Sequence, residues 1–211
     1  MHSSTLVTAG VYLIIRFEVP LRVRLLNVSG LLAIGRATII MAGVAAIVEV
    51  DIKKIVALST LRQLGLIITA IGLQQPSTAF FHLVTHAFTK ALLFIGVGNL
   101  IHSANEYQDL RHSTLALKTL PVCGSILVCT NLSLAGSPFF AGFYSKDMWL
   151  ESTLLIESSV LIYVGFLVGV AITCVYSIRV VFFLLVRDSQ SPPLGLESEE
   201  RLDFKGAVVP L

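Results

Sequence analysis

In the stretch Ala79 to Phe94, AFFHLVTHAFTKALLF, two histidines and a lysine stand four residues apart in an otherwise apolar run: His82, His86 and Lys90. On a helix each four-residue step turns about 40° and climbs about 6 Å, so the three side chains form one polar stripe roughly 12 Å long. Thr85 and Thr89 extend it with hydroxyls. A charged group near the bilayer centre costs at least ~2.5 kcal/mol and faces a bundle interior or a hydrated cavity. Histidine titrates near neutral pH and desolvation disfavours a charged ammonium, so these residue types can exchange protons without a cofactor. One histidine in such a setting more often just hydrogen-bonds a neighbouring helix; three ionisable groups on one face favour a proton path. Metal ligation by His82 and His86 is the competing chemistry. No glutamate follows the first histidine as HExxH requires, and the helix offers no obvious third ligand.

A second constellation is LAGSPFFAGFYSKDMWLE, Leu134 to Glu151, where Gly136, Ser137 and Pro138 interrupt an apolar run, Gly142 loosens it again, and Lys146 follows one turn on. Proline removes a backbone donor and clashes with the preceding turn, leaving carbonyls that lipid cannot satisfy. Such a break must be buried in protein or line water, as broken helices do beside the ion paths of transporters. The plainer alternative is a kink between two packing halves, with Lys146 snorkelling to the surface.

These groups need a membrane bundle to hold them. The chain has 211 residues, 55% hydrophobic and 13% charged, with a mean hydropathy of +0.85; soluble domains run near 25% charged. Spans of about 20 apolar residues are expected near 3–15, 28–48, 52–73, 79–101, 120–150 with an interruption, and 158–186. The fold class expected is an all-α polytopic transmembrane bundle with one broken helix over residues 1–186, followed by a polar loop, 187–211, rich in proline and acid. The first span lacks a basic lead-in and a cleavage site, so it reads as a helix whose beginning is missing and not as a signal peptide. Lys53 and Lys54, Arg111 and Lys118, and Arg187, Arg201 and Lys205 fall in alternate connections; the positive-inside rule sets that side toward the cytoplasm or its equivalent, although Arg16, Arg22 and Arg24 oppose it. Trp149 and Tyr144 suit interfacial anchors. A net charge of +2 with no basic block excludes nucleic acid as a partner. Cys123, Cys129 and Cys174 are isolated in apolar surroundings and read as packing residues.

The segments HSSTLVTAGVYLIIRF, DIKKIVALSTLRQLGLIITAIGL, FFHLVTHAFTKALLF, GNLIHSANEYQDLR and LAGSPFFAGFYSKD together resemble the subunit 5 family of mitochondrial NADH dehydrogenase, antiporter-like membrane subunits of respiratory complex I. The resemblance implies an inner-membrane helical bundle built on inverted repeats. It implies that Lys90 is the central lysine of a proton path, that Lys146 lies on its outlet side, that His82 and His86 link toward the centre, and that His2 joins the path to an input half. It also implies no cofactor bound by this chain, NADH and ubiquinone being used by the whole complex, and partnership with neighbouring antiporter-like subunits. A glutamate and a lysine that the family places before His2 are absent, so this stretch alone is expected to lack an input half-channel. Asp109 and Arg111 match a charged loop element, read as surface ordering. Related sodium/proton antiporters and membrane-bound hydrogenases share the lysine and broken-helix pattern and are the rival within transport; an inert membrane fragment is the rival outside it.

Arg36 and Arg62 depart from the resemblance, which implies small or hydroxyl residues there, and the chain holds only 3 methionines. Two unpaired guanidiniums deep in apolar helices would each cost several kcal/mol, roughly. Invertebrate mitochondria read AGA and AGG as serine and ATA as methionine, so one expectation is a reading frame translated with the standard table from an internal start. The alternative is that both arginines face a hydrated interior.

Overall fold

The structure, a computed structural model, describes residues 2–17, 28–103, 108–110, 120–155 and 160–185. Among these the chain forms seven helices: α1 (His2–Arg16), α2 (Val28–Val48), α3 (Ile52–Gly72), α4 (Pro76–Ser103), α5 (Pro121–Ala135), α6 (Ala141–Leu155) and α7 (Val160–Leu185). The expected spans coincide with these helices to within a few residues, the interrupted one resolving into α5 and α6. The polar loop expected over 187–211 lies outside the described residues, as do Arg111 and Lys118.

α2, α3, α4 and α7 are each long and apolar enough to cross a membrane, whereas α5 and α6, at 15 residues each, reach only about 22 Å, short of a crossing by either alone. Prolines open α4 and α5, where the missing N–H costs nothing because the first turn's donors have no helical partner. α3 is innermost: 78% of its apolar stretch is buried, against 28% for α2 and α7. It packs on α1, α2 and α4. α2 comes close because Gly35 and Gly65 meet, a side chain on Gly35 falling 3.0 Å from the Gly65 carbonyl oxygen.

Two larger apolar clusters fill the bundle at different depths, beside a small third one of Ala46, Ile55 and Tyr176. One joins Ile52, Val56, Leu93, Leu100, Leu110 and Leu127; the other joins Val11, Ile67, Ile71, Leu83, Trp149 and Phe166. Between them lies a layer of buried polar side chains from Ser59 to Gln63 on α3, His82 to Lys90 on α4, and Ser133 to Lys146 across the break. Trp149 is therefore not the interfacial anchor expected: it is buried, its ring stacked 4.1 Å from that of Phe166. Tyr144 is exposed.

At one end a two-residue antiparallel ladder ties the α2–α3 turn to the segment before α5. Ile52 N donates to Gln108 O at 3.0 Å and Leu110 N to Val50 O at 3.1 Å, with Asp51 opposite Asp109. Those two connections therefore share a side of the bundle, as the alternation of basic loops requires. Lys54 pairs with Asp51 at 2.8 Å in the first turn of α3.

Candidate functional site: a buried layer of basic side chains

The break is built one carbonyl at a time. Gly136 caps α5 in the left-handed region, φ 87°, which glycine adopts without strain. Its N–H reaches Leu132 O at 3.1 Å and Ser133 O at 3.2 Å, and Ser137 N reaches Leu132 O at 3.1 Å. Were the helix to continue, residue 138 would donate to Leu134 O, but Pro138 has no N–H. The Lys146 amine takes that place and donates to the Leu134 carbonyl.

Gly142 does not belong to the interruption, as the sequence suggests; it lies in the first turn of α6. Its role is close approach: a side chain there would stand 2.0 Å from Ser133 O. That contact sets α6 against the end of α5 and brings the following turn, Ser145 and Lys146, to face α4.

On α4 the stripe is buried throughout, His82 being 7% exposed, His86 3% and Lys90 0%. His82 bridges two helices, its Nε2 3.1 Å from Gln63 Oε1 and its Nδ1 3.0 Å from Ser145 Oγ. A carbonyl oxygen only accepts, so Nε2 carries the hydrogen in the neutral ring and Nδ1 accepts from the serine hydroxyl. Ser145 has a second acceptor within reach, Gly142 O at 3.3 Å. Turning the hydroxyl to it leaves Nδ1 free to take up a proton and then donate it to Ser145 Oγ.

The His86 ring lies parallel to that of His82, their centroids 6.3 Å apart, and neither of its nitrogens has a protein hydrogen-bond partner. Both rings, Gln63, Ser145 and Lys146 line one cavity of about 10 Å³, room for about one water. Lys90 stands one four-residue step further along. Its amine is turned to α3, where it donates to Ser59 Oγ and to Val56 O at 3.3 Å. Ser59 in turn donates to Val56 O at 2.8 Å. The structure thus joins His82, His86 and Lys146 in one cavity and holds Lys90 beside it on a separate anchor.

His2 lies in the first turn of α1; its side chain falls outside the described residues. Tyr12 of α1 touches Phe80 of α4, ring centroids 6.3 Å apart.

Sequence reasoning missed Ser59, Gln63 and Ser145. A signal was present: Ser59 and Gln63 are four apart in an apolar helix, one polar stripe to meet another. Arg62 is fully buried, donates to Gly169 O, and leaves Nε and NH1 without an acceptor. Among the described residues the ion pair is Lys54 with Asp51, so no carboxylate neutralises Arg62. Arg36 is half-buried beside Thr69, Trp149 and Phe166.

Membrane-length helices enclosing a layer of basic and hydroxyl side chains beside a proline-broken helix define a polytopic membrane protein of the antiporter-like class. The family described as NADH:quinone oxidoreductase/Mrp antiporter, transmembrane, matches residues 1–173, and the chain belongs to it. It is 44% identical over 212 residues to NADH-ubiquinone oxidoreductase chain 5 of Strongylocentrotus purpuratus, covering 100% of this chain and 33% of the relative. The chain 5 of Patiria pectinifera is 44% identical over 208 residues, covering 98% of this chain and 32% of its own length. That of Loxodonta africana is 40% identical over 199 residues, with 94% and 33% covered. The chain thus spans about a third of the length of the curated relatives it matches. Among solved structures, the Mrp complex from Dietzia sp. superposes with a TM-score of 0.78 at 20% identity, over 89% of this chain and 35% of that one. That likeness carries the fold.

Proposed function

We propose that this chain is the central and outlet part of the proton path in an antiporter-like membrane subunit of NADH:ubiquinone oxidoreductase, in the mitochondrial inner membrane with the Asp51–Asp109 side toward the matrix. The observation that carries this reading is the shared cavity of His82, His86 and Lys146, bridged to α3 through Gln63 and set one helical step from Lys90. A proton leaving the Lys90 ammonium passes by water to His86, whose nitrogens have no competing protein partner. It moves on to His82, then by rotation of the Ser145 hydroxyl toward Lys146, where the Leu134 carbonyl receives the charge. Proton transfer needs only groups or waters in hydrogen-bond contact.

The reading assigns this chain no electron transfer and no bound flavin or iron–sulfur cluster; NADH oxidation and ubiquinone reduction belong to the rest of the complex, and neighbouring antiporter-like subunits are the partners. The relatives at 44% identity favour this over a sodium/proton antiporter subunit. Passive proton flux through the chain in liposomes, followed with an entrapped pH dye, tests the path. Flux lost in Lys90→Ala and in His86→Leu supports it. Flux unchanged in both overturns the path through these residues, and no flux in the unaltered chain favours the inert fragment.

A further inference from the structure

Two further cavities flank α5 on the side away from the histidines. A narrow one of about 20 Å³ runs from Ser59 and Val56, the two groups that hold Lys90, to Leu93, Val97, Asn131 and Tyr176. A wider cleft of about 280 Å³ lies between α5 and α7, from Asn131 to Gly136, Ser137, Cys174 and Ser177. The first has room for about one water, the second for several. The cleft ends at the break, where a side chain added to Gly136 would come 3.5 Å from the Lys146 amine.

One side chain of α5 lines both. Asn131 is 5% exposed, and on α7 the consecutive residues Tyr176 and Ser177 fall on opposite sides of the same wall, Tyr176 in the narrow cavity and Ser177 in the cleft. The Asn131 amide is held back along its own helix, Nδ2 donating to Leu127 O at 2.7 Å. That single local bond is the tether on the wall, and such a bond to a carbonyl four residues back is cheap to break and remake. Tyr176, which lines the narrow cavity, is buried with its hydroxyl turned toward Arg62 and Gln63, so Asn131 is the polar side chain of α5 that faces both cavities.

We propose that Asn131 is a gate between these cavities, and that opening it gives Lys90 a second route to Lys146, through Ser59 and the α5–α7 cleft, that bypasses both histidines. The proposal rests on the proton-path reading of Lys90. With the gate shut, the ammonium of Lys90 exchanges only through His86. With it open, a water chain runs from Ser59 past Asn131 to the break.

The wall is tested by thiol labelling, which reads the gate whether or not protons cross. Leu93→Cys places a thiol in the narrow cavity, and 2-aminoethyl methanethiosulfonate is added to the full chain in liposomes, each site being read by peptide mass spectrometry. Cys174, which lines the cleft, is the internal standard. With Asn131→Ala the labelling rate at position 93 rises about tenfold, as loss of one hydrogen-bonded side chain warrants, while Asn131→Gln stays within about twofold and Cys174 is unchanged. Equal rates at position 93 for Asn, Ala and Gln overturn the gate. Val97→Cys gives the same reading should Leu93→Cys not fold. A gate that fails leaves the histidine route standing, whereas flux that survives Lys90→Ala overturns the second route together with the first, whatever the labelling shows of the wall.

Discussion

The two buried lysines are held in opposite ways. Lys90 rises from an unbroken helix and donates to a serine hydroxyl and to Val56 O, a carbonyl that Ser59 also uses. Lys146 rises beside a break and donates to Leu134 O, a carbonyl that Pro138 has left without a partner. A hydroxyl can rotate away and a main-chain carbonyl at a capped helix end cannot. Lys90 therefore sits on a hydroxyl that can let go and on a carbonyl already shared with Ser59, and Lys146 on a carbonyl that stays in place. A relay needs both kinds of site, one that releases and one that receives.

That contrast can be broken at several points. The largest effect is expected from replacing either amine: Lys90→Ala or Lys146→Ala lowers proton flux in liposomes by about 10²-fold or more, the scale of a lost positioned proton-transfer group. Next is Gly142→Ala, whose added carbon would meet Ser133 O at 2.0 Å. It should lower stability by about 1–3 kcal/mol, read as a drop in the thermal midpoint in detergent, and separate Ser145 from His82. Pro138→Ala restores an N–H that competes with Lys146 for Leu134 O, and should slow flux about tenfold, the worth of one hydrogen bond to a charged group. Ser59→Ala removes the movable holder while Ser59→Thr keeps it, so flux in the first should fall several-fold, roughly, and in the second stay near the unaltered rate. The smallest effect is at the exposed pair: Lys54→Ala should leave both flux and thermal midpoint unchanged, because a solvated ion pair contributes little.

How much of this was legible in the sequence follows from what a sequence pattern encodes. Spans and the break could be read because hydropathy and proline act locally, and the His82, His86, Lys90 stripe because helical spacing is fixed. Spacing gives a face and not the partner across from it. That Lys90 meets Ser59, and His82 meets Gln63 and Ser145, depends on the register of α3, α4 and α6, which packing of their apolar residues and the Gly142 contact decide. Gly142 was misread for the same reason: beside Gly136 and Pro138 it resembles another breaker, whereas its missing side chain serves a neighbouring backbone. Trp149 misleads similarly, since being near a span end says nothing of whether another helix covers it. Arg62 was legible as a misfit, and its buried guanidinium without a carboxylate keeps it one.

The short ladder between Val50–Ile52 and Gln108–Leu110 has a mechanical consequence. It ties the foot of α3 to residues 108–110 of the connection that follows α4, so a tilt of α3 pivots about that tie. Ser59 rides on α3 about two turns beyond the tie, which puts the holder of Lys90 on the arm of a lever whose fulcrum is the bridged pair Asp51 and Asp109.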